Sequence, residues 1–313
     1  MFDRKPKASD VKAEVLDGLM GPDKSLHPKF FYDEQGSELF EAITRLPEYY
    51  LTRSELEIFD MHLSAISAEL PREGCVVEYG SGSSLKIRRV IEELAPAAYV
   101  PVDISREHMV AMARELAGDF PDLAIYPTCA DFTDTFELPP PVAGMTKVGF
   151  FPGSSIGNFS PEDAVEFLER MAKTLGIGAK LIIGVDLKKD RATLEAAYDD
   201  AAGVTAAFNR NLLRHLAEVL DADLDPERFA HRAVYDEALG AVQMFLDVRE
   251  THEVMIGGQP IRFDAGEAIH TENSYKYDRA GFVELAAAAG FGEIACWMDG
   301  KEWFAVFLLE VNG

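Results

Sequence analysis

From residue 75 onward, short apolar runs alternate with longer amphipathic stretches. CVVEYG (75–80), AYVPVD (98–103), LAIYPTCADF (123–132), KVGFFP (147–152) and AKLIIGVDL (179–187) read as strands, the first of them of the buried type. SLKIRRVIEELA, REHMVAMARELAGDF and PEDAVEFLERMAKTL read as the helices between them, the last with Pro161 at its first turn, where a missing N–H costs little. Strands alternating with helices predict parallel pairing through right-handed crossovers, an α/β fold with a Rossmann-like, doubly wound, mostly parallel sheet.

The alternation then stops. Residues 190–235 read as mostly helical, and 241–276 as antiparallel strands with a turn at Gly257 and Gly258. DRAGFVELAAAAG returns to a helical pattern, and FGEIACWMD and EWFAVFLLEV read as a closing antiparallel pair at the sheet edge. Such an insertion is too long for a plain loop. The first residues mix short helices and loops around the aromatic-rich KFFYDEQGSELFEAITRLPEYY. Ser54 to Leu70 reads as a helix, with Ser54 and Glu57 spaced as a capping box. The expected division is a sheet domain of residues 54–189 and 277–313, and a second, α+β, substrate-binding domain of 1–53 and 190–276.

Composition narrows the function. The chain has 313 residues and a formal net charge of −24, a surface that repels phosphate backbones and argues against nucleic acid. Cys75, Cys129 and Cys296 each sit in an apolar run without metal-site spacing, as buried thiols of a reducing cytosol do. The seven histidines form no HxxxH or HExxH pair, so no metal is expected. MFDRKPKASD lacks the apolar core of a signal peptide, and no apolar run approaches the ~20 residues of a membrane span. A cytoplasmic protein without a membrane partner is expected; the oligomeric state is not set by the sequence, and a monomer is compatible with it.

The strand ends carry the candidate chemistry. Ligands of a doubly wound sheet sit beyond the carboxyl ends of its strands. There the first strand runs into VVEYGSGSS, where Gly80 and Gly82 let backbone approach a ligand closely. A dinucleotide fingerprint would put glycine or alanine where Leu85 stands, which argues against an NAD-dependent oxidoreductase. Glu78 in an E-x-G-x-G-S pattern instead resembles motif I of class I S-adenosylmethionine-dependent methyltransferases. Asp103, ending the second strand, is placed to meet ribose hydroxyls; Asp131 and Phe132, ending the third, to meet an adenine amino group and cover its ring. Lys86 would pair with the methionyl carboxylate. Taken singly, each has a plainer reading: a turn residue, core packing, or a solvated helix face. FFPGSSIGNFS ends the fourth strand, where Asn158 offers a donor and an acceptor to a polar substrate, and where Ser160 could simply cap the next helix.

Longer stretches carry a closer likeness. FYDEQGSELFEAITRLPEYYLTR, VVEYGSGSSLK, PVDIS, ADF, GSSIGNFSP, YDDAAGVTAAFNRN and FDAGEAIHTENSYKY together resemble the L-histidine Nα-methyltransferases of ergothioneine biosynthesis, nearly end to end. The resemblance implies that Gly80, Lys86, Asp103, Asp131 and Phe132 hold S-adenosylmethionine. It implies that Tyr49 packs against the imidazole of L-histidine, that Glu272 and Ser274 bond its two nitrogens, and that Asn158 and Tyr198 hold its carboxylate. Tyr32 would help position the amine, and Met244 would form a wall. Neither a metal nor a covalent intermediate is required, and three successive transfers would give hercynine. Glu272 and Ser274 are i and i+2 on an expected strand and so share a face, with Asn273 on the other. The family pattern has threonine where this chain has Ser155, and often valine at Asn273; neither change removes a proposed contact. A methyltransferase for another amino acid, and a non-catalytic binding module on the same fold, remain alternatives at this point.

Overall fold

The computed structural model describes residues 2–3, 10–81, 84–104 and 106–313. It divides into two compact units. The first comprises Arg53–Leu187 and Tyr277–Gly313, with Phe2–Asp3; the second comprises 10–52 and Lys188–Lys276.

The sheet of the first unit runs in the order Phe2–Asp3, Thr128–Cys129, Ala98–Asp103, Cys75–Tyr79, Lys147–Phe151, Lys180–Asp186, Phe304–Val311, Phe291–Met298. Pairing is parallel up to Lys180–Asp186 and antiparallel beyond it, so the closing pair does lie at the sheet edge. This is the doubly wound α/β sheet expected from the alternation. The chain winds outward from Cys75–Tyr79 in one direction, then returns to Lys147–Phe151 on its other side. Ligands of such sheets bind beyond the carboxyl ends at that reversal. Val76, Val77, Val100, Phe150, Ile182 and Leu308 are buried between the helix layers, which accounts for the near-continuous apolar strands.

Three details depart from expectation. The third strand is split into Ala124–Ile125 and Thr128–Cys129 around Pro127, which has no N–H for a ladder. Phe2–Asp3, expected to lie with the rest of the N-terminal segment, instead pairs with Thr128–Cys129 in this sheet. The helix expected from Ser54 begins at Leu51 and runs to Ala68, so Ser54 and Glu57 form no capping box. The Ser54 hydroxyl donates to buried Asp299 at 2.9 Å, and Glu57 accepts from the Gly300 N–H at 3.0 Å. Both side chains pin the helix to the hairpin turn before Phe304. The thiols are free, Cys75 and Cys129 buried but Cys296 only half-buried.

In the second unit, Phe229–Asp236, Ala241–Val248 and Ala268–Tyr275 form an antiparallel sheet with Ala241–Val248 in the middle. Residues 229–235, expected to be helical, are thus a strand. Phe229 and Tyr235 are buried, and the strand closes on its neighbour through a turn in which Gly240, at φ +70°, donates to the Asp236 carbonyl. A separate hairpin, His252–Ile256 with Gln259–Phe263, turns at Gly257 and Gly258. The N-terminal segment joins this unit by backbone bonds: Leu26 N–H to the His270 carbonyl and His270 N–H to the Lys24 carbonyl, each 2.9 Å.

Asp33 fastens the same segment from the other side. It caps the helix Glu34–Ile43 by accepting from the Gly36 N–H, and it accepts from Asn211 at 2.8 Å and from Arg214 on the helix Val204–Leu220. Burial pushes its carboxyl up, but these hydrogen bonds and the charges of Arg214 and His215 outweigh that and hold it below the usual range. A depressed carboxyl stabilises the fold above its unfolded pKa and loses that effect as pH falls through the folded one. Asp33→Ala is expected to cost about 1–3 kcal/mol in urea unfolding at neutral pH, with the difference from wild type shrinking in acid.

Candidate active site

The first strand ends in a turn that only glycine suits. Gly80 has φ +74° and donates to the Val102 carbonyl at 2.9 Å. A Cβ there would lie 3.5 Å from the Phe132 ring, so that ring borders the turn. The next residue, Ser81, is buried, and its hydroxyl has no hydrogen-bond partner among the described residues, an arrangement that asks for a ligand or a water. Gly82 lies outside the described residues. Asp103 ends the second strand, paired with Cys129 in register. Asp131 turns its Oδ1 onto its own loop, accepting from Thr133 N–H at 2.9 Å and Thr133 Oγ1 at 2.6 Å. Glu78 lies behind the turn, fully buried, where the Tyr99 hydroxyl donates to it. Burial pushes its carboxyl up to about 8; Asp103 adds to the rise, while the Tyr99 bond and Lys86 oppose it.

Lys86 is held by a residue that sequence reasoning missed. Its ammonium pairs with Glu55, whose side chain is 0% exposed, and both Glu55 oxygens lie 3.0 Å from the Gly153 N–H at the end of the fourth strand. Room for this carboxylate comes from Gly184, where a Cβ would fall 2.1 Å from Glu55 Oε1. Position 55 shares a helix face with buried Leu51, Ile58 and Phe59, and an acid on an apolar face was the available signal. Gly184→Ala is expected to displace Glu55 and cost about 1–3 kcal/mol of stability, read as a lower thermal midpoint; an unchanged midpoint would contradict this packing.

After the fourth strand, Gly153 and Ser154 are both left-handed, φ +82° and +60°. Ser154 tolerates this because its buried hydroxyl accepts from the Asp186 N–H at 2.8 Å. The short turn Ser155–Asn158 follows, its exit marked by Asn158, which is exposed. Ser155 donates to the Pro152 carbonyl, a bond that threonine could make equally. Ser160 caps the helix Pro161–Leu175, accepting from Asp163 N–H at 3.1 Å. The simple capping role is therefore present, and it leaves the Asn158 side chain outside the cap.

The second unit gathers most of its sequence-nominated residues. Tyr198 Oη and Ser274 Oγ are 2.7 Å apart, both buried. Met244 stands opposite Glu272 in register and is buried. Tyr49 packs edge-on to Tyr198 at 6.3 Å and to Phe40 at 6.2 Å. Tyr32, 47% exposed, packs edge-on to Phe40 and Phe208. A β-bulge between His270 and Glu272 sets the faces of the strand. The extra residue, Thr271, turns inward to donate to the Met244 carbonyl, and Glu272 and Ser274 are buried together. Asn273 faces the other way, accepting from Gln243 at 3.0 Å and meeting His270 Nε2 at 2.9 Å. Burial pushes the Glu272 carboxyl up to about 7, and the charge of Lys276 opposes the rise. Sequence reasoning missed Lys276, which is 2% exposed. It also missed the rings of Phe40 and Phe208 that join Tyr32 to Tyr49.

A family model described as histidine-specific, S-adenosylmethionine-dependent methyltransferase matches residues 11–311. The chain belongs to this family. Among its relatives, the histidine N-alpha-methyltransferase of Mycobacterium tuberculosis is 39% identical over 299 residues, covering 92% of this chain and 91% of that protein. The one from Mycolicibacterium smegmatis is 37% identical over 298 residues, covering 93% and 92%. Ergothioneine biosynthesis protein 1 of Neurospora crassa is 32% identical over 305 residues, which are 94% of this chain but 34% of that longer protein. As a member of this methyltransferase family the chain is an S-adenosylmethionine-dependent enzyme. Among the described residues no group of three or more His, Cys, Asp or Glu could hold a metal ion, and no helix is long and apolar enough to cross a membrane.

Proposed function

We propose that this histidine-family methyltransferase moves methyl groups from S-adenosylmethionine to the α-amino nitrogen of L-histidine, three times in succession, giving hercynine for ergothioneine biosynthesis in the cytoplasm. The family match supports the reaction class. The choice of histidine rests on the buried pair Glu272 and Ser274, an acid and a hydroxyl side by side on one face. Such a pair can satisfy an imidazole N–H and an imidazole nitrogen together. A pocket built on hydrogen bonds rejects side chains that lack them, because its buried polar groups would go unpaired.

The first unit suits the cofactor. Gly80 in a left-handed turn with the Phe132 ring beside it, and the Ser81 hydroxyl, which has no partner among the described residues, form a backbone cradle with an aromatic edge. Gly80, Gly82, Lys86, Asp103, Asp131 and Phe132 would hold S-adenosylmethionine, which supplies an electrophilic methyl on its sulfonium. The chain's own residues supply position. Orienting two reactants at ~3–3.5 Å accounts for roughly 7–11 kcal/mol of a barrier. In this reading Asn158 and Tyr198 hold the substrate carboxylate, Tyr32 and Asn158 orient the amine, and Tyr49 and Met244 enclose the imidazole between Glu272 and Ser274. The amine reacts neutral, so each of the first two products must shed a proton before the next transfer. The last leaves a fixed positive charge, which aromatic rings around the site accommodate.

Mass spectrometry of L-histidine incubated with protein and S-adenosylmethionine tests the reading. Gains of one, two and three methyls are expected. No gain on histidine, with turnover of another amino acid in a panel, would reassign the substrate; no turnover of any would favour a binding module.

A further inference from the structure

We propose that Lys276 is a specificity-determining residue of the amino acid site, its ammonium fixing the Tyr198 and Ser274 hydroxyls as donors toward the bound substrate. This rests on the functional reading above. Lys276 Nζ donates to Tyr198 Oη and to Ser274 Oγ, each at 2.8 Å, closing a triangle with the 2.7 Å contact between the two oxygens. It also lies 4.7 Å from the centroid of the Tyr198 ring. Glu272 and Ser274 share one face of the strand, and Lys276, one residue past its end, continues the alternation, its ammonium meeting the Ser274 hydroxyl.

Counting donors gives the consequence. A lysine ammonium has three donors and no acceptor, and a hydroxyl has one donor and two lone pairs. The ammonium therefore occupies one lone pair on each oxygen. Within the triangle, one hydroxyl proton bridges to the other oxygen and one remains to point elsewhere. When the substrate enters, both protons can turn outward, because the ammonium still holds the two oxygens together. Without it, two oxygens at this separation with both protons turned away would repel, and one hydroxyl would stay committed to the other. Lys276 thus lets Tyr198 donate to a carboxylate while Ser274 donates to an imidazole nitrogen. Ser274 as a donor demands an acceptor on the substrate side chain. Glu272, when ionised, is an acceptor and demands a donor. Neutral imidazole offers one of each. A buried ammonium is costly to desolvate, and its positive charge also favours an anionic group nearby.

The test is a double-mutant cycle, read by calorimetric titration of L-histidine into protein saturated with S-adenosylhomocysteine. Lys276→Met is expected to weaken histidine binding about ten- to hundredfold in the wild-type background and by less than about threefold in a Tyr198→Phe/Ser274→Ala background. A lysine that merely supports the fold would cost the same in both, and that result overturns the proposal. If Lys276→Met does not fold, judged by loss of S-adenosylhomocysteine binding, the cycle is repeated with Lys276→Gln. A crystal structure of the wild-type histidine complex gives a check free of substitutions: Nζ should remain within hydrogen-bond distance of both oxygens, and separation from either overturns the assignment. Should wild type bind no histidine, the functional reading fails; the same cycle run with the amino acid it does bind then decides Lys276 separately.

Discussion

Glu272→Gln is expected to raise the histidine KM about a hundredfold or more above neutral pH while leaving S-adenosylhomocysteine binding unchanged. The same substitution is expected to make the ligand-free protein more stable there. Both follow from one carboxyl. Its pKa is raised from 4.5 to about 7 by burial, against the pull of Lys276. A carboxyl raised on folding takes up protons in the native state, so its contribution to stability is complete below the unfolded value and is lost as pH rises through the folded one. Above about 7 the native state carries an ionised acid in a buried place. Glutamine removes that cost, a gain of up to about 3 kcal/mol. Ionised Glu272 is also the strong acceptor that an imidazole N–H needs. Wild-type affinity for histidine should therefore climb as pH rises through about 7, and the Gln variant should lack that climb. Thermal midpoints and histidine titrations across this range check both. A Gln variant with unchanged KM would place the imidazole elsewhere.

Asp103→Ala should have the complementary effect. The carboxylate stands at the carboxyl end of the second parallel strand, beside the Gly80 turn, where the Gly80 and Ser81 N–H groups reach back to the Val102 carbonyl. Two hydroxyls of a ribose can donate to one carboxylate, and hydrogen bonds to a charged group each count for about 1.5–3 kcal/mol. Loss of about a hundredfold or more in S-adenosylhomocysteine affinity is expected, with the thermal midpoint of the ligand-free variant near wild type. Calorimetric titration decides it. An unchanged dissociation constant would remove Asp103 from the cofactor site and leave it as a strand-end residue.

The parallel sheet was legible because buried parallel strands have a composition of their own, and their ends locate the reversal at Gly80 and Pro152. The closing pair, 291–298 with 304–311, was legible as two adjacent apolar runs, though it pairs antiparallel. Local signals failed where tertiary contacts override them. Ser54 and Glu57 have the spacing of a cap but serve a turn at residues 299–300. Residues 229–236 sit in a helical neighbourhood, yet a partner strand across a tight turn claims them. The residues overlooked at the candidate site are those whose meaning lies far along the chain. Glu55 meets Gly153 across 98 positions and Lys276 meets Tyr198 across 78. Glu55 showed in the sequence only as an acid on an apolar helix face; its partners make it intelligible. Motif likeness reached Glu272 and Ser274, but alternation alone left them indistinguishable from a solvent-facing edge.

The extra residue at Thr271 leaves its strand one count out of step with Ala241–Val248, so inside and outside trade places midway. Straightening the bulge with that residue kept would force one half of the strand to turn over. Either the acid and hydroxyl would be exchanged for the amide of Asn273, or Ile269 would be turned out of the core while His270 moved in. Substrate preference in this fold therefore depends on where the chain bulges as well as on its side chains, and sequence comparisons that slide a gap through this segment would misassign the residues lining it.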